Sequence, residues 1–215
     1  MARLTQTRFS LPSIYPITDK RLAGRATHLA IVRELVRGGA TLIQIRDKET
    51  SMQELLDDIR RCVDYAASFG VRIIVNDRCD LALLSGAAGV HLGQDDLPPT
   101  AARALLGPDQ LLGFSTHSLA QVRQANRLPV QYFGFGPIFA TTTKPDHSPA
   151  VGLAALRQAC RQSTRPIVAI GGITLEQIPH VLAAGAAGAA VISTLLRARN
   201  IAHRMELLLK AAGSE

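Results

Sequence analysis

Short, almost wholly apolar runs recur along the chain, each closed by Gly, Asp, Asn or Ser. They are SIYPIT (13–18), ATLIQI (40–45), VRIIVN (71–76), GVHL (89–92), LLGFS (111–115), QYFGFG (131–136), PIVAI (166–170) and AAVIS (189–193). Each has the length of a strand, and apolar residues at consecutive rather than alternate positions predict a strand covered on both faces, as in a parallel sheet. The segments between them carry helical spacing. In 28–39, Leu29, Val32, Leu35 and Val36 share a face and Gly38-Gly39 ends the turn; 52–70 closes at Gly70 and 175–185 at Gly185. Eight strand-then-helix units with no linker or shift in composition predict one α/β domain over 1–215, a (β/α)8 TIM barrel, with residues 1–12 a short N-terminal extension. A doubly wound open sheet is the fold-level alternative.

A parallel barrel opens all its strand C-termini onto one face, where the following loops build the active site. Polar residues stand at those ends: Arg46-Asp47-Lys48, Asn76-Asp77, Gly93-Gln94-Asp95-Asp96, Ser115-Thr116-His117, Thr141-Thr142-Thr143-Lys144, Gly171-Gly172 and Ser193. Any one cluster reads equally well as a solvated turn. Seven on a common rim point to a site.

Composition narrows the kind of site. With 47% hydrophobic and 19% charged residues the chain has material for a substantial core and none of the signature of disorder. No apolar run approaches the roughly 20 residues of a membrane span, and MARLTQTRFSLPS lacks the apolar core of a signal peptide. Cys62, Cys79 and Cys160 are odd in number and widely spaced, which favours reduced thiols. A soluble, unprocessed cytoplasmic protein is expected, with no membrane partner and its oligomeric state open. The formal net charge of +7 is scattered rather than bunched, and aromatics at 4% leave little for base stacking, so a small anionic substrate accounts for the charge as well as nucleic acid does; small phosphate and diphosphate substrates are expected, with no nucleic-acid partner.

The rim residues suggest which anions. Asp77 and Asp96, with Asn76 and Asp95 beside them, form an oxygen-only set suited to Mg²⁺, whose shell substrate phosphate and water would complete; alternatively Asp77 caps the helix that follows. Arg46, Lys48 and Lys144 are the cations that a diphosphate, above all a departing one, requires. Gly171-Gly172 and Ile192-Ser193 follow the last two strands, where barrels often bind a substrate phosphate; the alternative is a plain tight turn. His91 and His117 also lie at strand ends and receive no role.

Taken in order, YPITD, QIRDK, VNDR, GVHLGQDDL, GFSTHS, GPIFATTTK, PIVAIGGI and AAVIS resemble the thiamine phosphate synthase (thiamine-phosphate pyrophosphorylase) family over nearly the whole chain from YPITD onward. The resemblance implies a Mg²⁺-dependent transferase that condenses 4-amino-2-methyl-5-hydroxymethylpyrimidine diphosphate with a thiazole phosphate, giving thiamine phosphate and pyrophosphate by dissociative substitution. It implies that Gln44, Ile45, Arg46, Asp47, Lys48 and Asn76 bind the pyrimidine diphosphate, with Ser115 and Lys144 as further contacts. Asp77 and Asp96 would ligate Mg²⁺, and Thr141, Thr142, Thr143, Gly172, Ile192 and Ser193 would bind the thiazole phosphate. Arg46, Lys48, Ser115 and Lys144 are then the catalytic set. PDHSP (145–149) lies in a variable stretch, and Asp146 and His147 receive no role. A thiazole tautomerase-like barrel and a non-catalytic phosphate or nucleic-acid binder are the alternatives.

Overall fold

A computed structural model describes residues 10–141 and 149–213. In chain order the elements are β1 (Ile14–Pro16), α1 (Lys20–Ala23), α2 (His28–Arg37), β2 (Leu42–Ile45), α3 (Met52–Ala67), β3 (Arg72–Asn76), α4 (Cys79–Ser85), β4 (Gly89–Leu92) and α5 (Pro99–Leu105). There follow β5 (Leu111–Thr116), α6 (Leu119–Ala125), β6 (Tyr132–Phe135), α7 (Gly152–Gln162), β7 (Ile167–Ile170), α8 (Ile178–Ala183), β8 (Gly188–Val191), α9 (Ser193–Leu196) and α10 (Ile201–Ala211). Seven parallel ladders order the strands β1-β8-β7-β6-β5-β4-β3-β2. The ring is drawn together between β1 and β2 by one bridge, Ile17 opposite Gln44, where the Thr18 amide donates to the Gln44 carbonyl at 2.8 Å. The expected (β/α)8 barrel is therefore the fold, nearly closed; six of the expected runs contain their strands, while β5 runs on to Thr116 and β8 begins at Gly188, each one residue outside its run.

Two apolar cores explain why the runs are apolar at successive positions. Ile14, Ile43, Ile45, Val75, Val90, Phe133, Phe135 and Ala169 face outward onto the helices. Their neighbours Tyr15, Ile17, Leu42, Ile74, Leu111, Tyr132, Val168 and Ala190 fill the barrel interior, the side-chain period of two sending alternate residues to opposite faces.

Helix α2 buries His28, Ile31, Val32 and Leu35, whereas Leu29 and Val36 are only partly covered. The buried stripe thus runs along the i, i+3, i+4, i+7 row from His28, one position off the expected face. Its start is anchored twice: Thr27 caps Ala30, and the backbone N–H groups of His28 and Leu29 donate to the Asp58 carboxylate of α3 at 2.6 and 3.2 Å. Such pairing satisfies amides that a helix leaves orphaned at its first turn.

Candidate active site

The strand C-termini surround one cavity of about 210 Å³ whose wall includes Tyr15, Gln44, Arg46, Asn76, Asp77, His91, Ser115, Tyr132, Gly172 and Ser193. Polar side chains cross its floor in an unbroken line. Gln44 Nε2 donates to the Tyr15 hydroxyl at 3.1 Å, which lies 2.9 Å from the Tyr132 hydroxyl. Tyr132 is 3.1 Å from His91 Nδ1, and His91 Nε2 is 2.9 Å from Ser115 Oγ. Burial pushes both tyrosine hydroxyls upward from their ordinary range, so both remain protonated.

The loop after β2 presents Arg46 to the cavity and ties Asp47 down behind it. The Asp47 carboxylate accepts from the backbone N–H groups of Glu49 and Thr50, both at 2.9 Å, and from the Thr50 hydroxyl at 2.7 Å. His28 Nε2 lies 3.0 Å from it and Lys20 Nζ 3.2 Å. Burial pushes the Asp47 carboxyl up, but the bonds from Thr50, Glu49 and His28 outweigh it and hold the group well below the usual carboxylate range. Burial likewise pushes His28 down, against the pull of Asp47 and Asp58. A neutral His28 that donates from Nε2 to Asp47 accepts at Nδ1 from Thr18 Oγ1, 2.8 Å away, and Thr18 accepts from the Arg46 backbone N–H at 3.3 Å. Loop and strand are thereby latched through a histidine with no exposed surface. The Arg46 side chain is only 15% exposed; Nη1 stands 3.8 Å from Asp19, and Nε is buried with no hydrogen-bond partner among the described residues.

Asp77 follows β3 with φ +65°, a left-handed conformation that Asp tolerates better than most residues. Its backbone N–H donates to the His91 carbonyl at 2.8 Å. Helix α4 has Arg78 as its N-cap, with no side-chain capping bond, so Asp77 is not the cap. Its carboxylate instead lies within hydrogen-bonding reach of Asp96, and Lys48 Nζ is 3.4 Å away. Burial pushes Asp77 upward, Asp96 adds to the shift, and Lys48 opposes it. Asp96 is oriented by the Gly93 N–H, which donates to it at 2.7 Å.

On the opposite wall the loops after β6, β7 and β8 interlock. Ile138 and Phe139 N–H groups donate to the Ile170 and Gly171 carbonyls at 2.9 and 3.0 Å, and Thr194 Oγ1 donates to the Ile173 carbonyl at 2.8 Å. A Cβ on Gly172, which has φ +63°, would overlap the Ala140 carbonyl and stand 2.9 Å from Phe139 Cβ. The glycine therefore lets the two loops touch, a reason separate from close approach of a phosphate. α9 begins at Ser193 beside this wall. His117 donates from Nδ1 to the Gly136 carbonyl at 2.8 Å, since a carbonyl can only accept.

Of the residues expected at the site, Gln44, Arg46, Asn76, Asp77, Ser115, Thr141, Gly172, Ile192 and Ser193 line the cavity. Ile45 packs into the outer core, Asp47 is consumed by the loop, and Lys48 and Asp96 stand at the rim behind Asp77. Thr142, Thr143 and Lys144 lie outside the described residues. Sequence reasoning gave no role to Tyr15, Tyr132, Thr18, Asp19, Lys20 and His28, and left His91 unassigned. For the interior group the available signal was polar residues at inward-facing positions of otherwise apolar strands.

With this geometry in place, the comparisons with known proteins agree. A family model described as thiamine monophosphate synthase matches residues 14–195. The chain is 44% identical over 187 residues to the thiamine-phosphate synthase of Albidiferax ferrireducens, covering 87% of this chain and 85% of that one. It is 42% identical over 196 residues to that of Azorhizobium caulinodans, covering 91% and 92%. Among solved structures, thiamine phosphate pyrophosphorylase from Pyrococcus furiosus superposes with a TM-score of 0.85 at 33% identity, over 94% of this chain and 95% of that one. The (β/α)8 fold, the rim clusters in order and these matches together place the chain in the thiamine monophosphate synthase family.

Proposed function

We propose that this transferase of thiamine biosynthesis condenses 4-amino-2-methyl-5-hydroxymethylpyrimidine diphosphate with a thiazole phosphate, releasing pyrophosphate, with Mg²⁺ as cofactor. The observation that carries the reading is Arg46. Its guanidinium is largely buried, faces the cavity, and has at Nε a donor with no partner among the described residues; a buried cation with Asp19 only at 3.8 Å calls for an anionic ligand.

Mg²⁺ fits the residues present. Asp77 and Asp96 bring two carboxylates together with Lys48 as the nearby cation, an arrangement that a divalent ion relieves. Those two would hold it, with substrate phosphate and water completing the shell. When bound, the ion supplies charge neutralisation at the diphosphate.

Arg46 and Lys48 face the same leaving group, and Ser115 offers a hydroxyl beside it. Thr141, Gly172 and Ser193 form the wall for the thiazole phosphate, with Ile192 packed behind it. The pyrimidine's exocyclic amine pushes electron density toward the methylene carbon as its C–O bond breaks, the departing diphosphate oxygen keeping the pair. The thiazole nitrogen then forms the C–N bond with its lone pair. No proton need move in that exchange, so the protein's part is to align the partners and stabilise charge.

Pyrophosphate release is the decisive assay. It should require both substrates and Mg²⁺ and match thiamine phosphate formed mole for mole. Arg46→Ala should lower kcat/KM by about 10²-fold. No pyrophosphate from the wild type under those conditions would refute the reading, and a tautomerase or simple binder would release none.

A further inference from the structure

We infer that the buried line Gln44, Tyr15, Tyr132 and His91 is a positioning relay that fixes the Ser115 hydroxyl as a hydrogen-bond donor into the cavity. The inference rests on the proposed function only for where that donor points, the leaving diphosphate or the pyrimidine bound against it.

The direction follows from counting protons. Tyr15 accepts from Gln44 Nε2 and has one proton of its own, and its other hydrogen-bond partner is Tyr132. Tyr15 therefore donates to Tyr132. Tyr132, already an acceptor, has its single proton left for His91 Nδ1. A histidine that accepts at Nδ1 carries its proton on Nε2, which donates to Ser115 Oγ. The serine proton is then left for a ligand. Turning the Gln44 amide over would reverse every link, move the ring proton to Nδ1, and spend the serine proton on His91.

The fold makes room for this line at specific cost. Gly113 pairs in register with His91 on one side and Tyr132 on the other, and a Cβ there would overlap both the Tyr132 ring and His91 Nδ1. Gly134, opposite Ser115, would bring a Cβ to 3.3 Å from His91 Cε1. The rings of His91 and Tyr132 lie 5.4 Å apart and those of Tyr15 and Tyr132 5.9 Å. Four polar side chains buried to this degree are costly unless each bond is made, and burial keeps both phenols protonated as the direction requires.

Long-range ¹H–¹⁵N NMR on the wild-type protein, without substrate or metal, should find His91 protonated at Nε2; protonation at Nδ1 overturns the relay. Tyr132→Phe keeps the ring and removes one link. It should lower kcat about tenfold, the worth of one hydrogen bond to a reacting group, with each KM within about twofold. In a Ser115→Ala background the same substitution should change kcat less than about twofold, because the serine through which it acts is gone. An equal loss in both backgrounds would mean that Tyr132 acts structurally and would overturn the relay. Should Tyr132→Phe fold poorly, Tyr15→Phe takes its place in the same cycle with an expected threefold effect, about one link weaker. The tautomer is read without turnover, so absence of pyrophosphate release would refute the function while an Nδ1 proton would refute the relay.

Discussion

Replacing Asp77 by Asn should make the metal-free protein more stable while nearly abolishing its activity. Asn tolerates the φ of +65° as Asp does, so the exchange removes charge without adding backbone strain. What is lost is an ion pair at 3.4 Å with Lys48, a side chain 61% exposed, and pairs of that kind contribute at most about 1 kcal/mol. What is relieved is a carboxylate that is only 23% exposed and set against Asp96, with burial the larger penalty and the neighbouring charge the next. The balance favours Asn by about 1 kcal/mol, as is common when a functional charge is removed; in a chain of this length that is about 2 to 4 °C in Tm. The folded carboxyl titrates above its ordinary 3.8. Its contribution is therefore most favourable below that value and declines as pH rises through the folded one, because the folded chain holds the extra proton. Melting in chelator at neutral pH should show the variant 2 to 4 °C higher (about 1 kcal/mol), the gap closing on acidification. Added Mg²⁺ should raise the wild type alone, and turnover of the variant should fall by about 10²-fold or more. A variant that melts below the wild type in chelator at neutral pH would refute the reasoning, since Asp77 would then be a structural partner of Lys48.

Thr141→Val keeps the shape of the rim and removes a donor, so the KM for thiazole phosphate should rise several-fold while that for the pyrimidine diphosphate stays put; a loss confined to the latter would reverse the two sites. Gly172→Ala combines left-handed strain of about 1 kcal/mol with overlap on the Ala140 carbonyl, so Tm should fall by about 4 °C or more and the thiazole KM should rise with it; unchanged melting would show that the loop contact is dispensable. His28 titrates below its ordinary 6.5, so the unfolded chain takes up the proton first and stability should be lost as pH falls from 6.5 through the folded value. His28→Gln should start less stable but stay flat across that window in pH-dependent melts, and an identical slope in both proteins would exclude His28 as the source.

How much could be read beforehand depended on what each residue answers to. All eight apolar runs coincide with strands to within a residue because burial on both faces leaves a signal no loop imitates, and the rim clusters fall where strands end because chain direction alone puts them there. Asp47 shows the limit. Its place beside Arg46 was legible, but its role was not, because its partners His28 and Lys20 come from segments nearly twenty or more residues earlier and read as ordinary helix surface. Tyr15, Gln44, His91 and Tyr132 sit within apolar runs, where a polar residue looks like noise until the alternation of the strand shows that all of them point inward. Leu29 and Val36 were placed one position off the buried stripe of α2 because Ile31 shares that face and the Asp58 anchor sets how the helix turns.

The bridge between β1 and β2 gives the barrel a seam. Seven junctions are ladders and the eighth has a single backbone bridge, so the Thr18 amide should exchange its hydrogen sooner than those within the ladders. Arg46 stands on one side of that seam and Ser193 follows β8, which pairs with β1, on the other. Two substrates held together for bond formation would span it like a staple, slowing exchange at Thr18 more than either does alone. Each would thereby tighten the binding of the other, with the barrel wall as the carrier of the coupling.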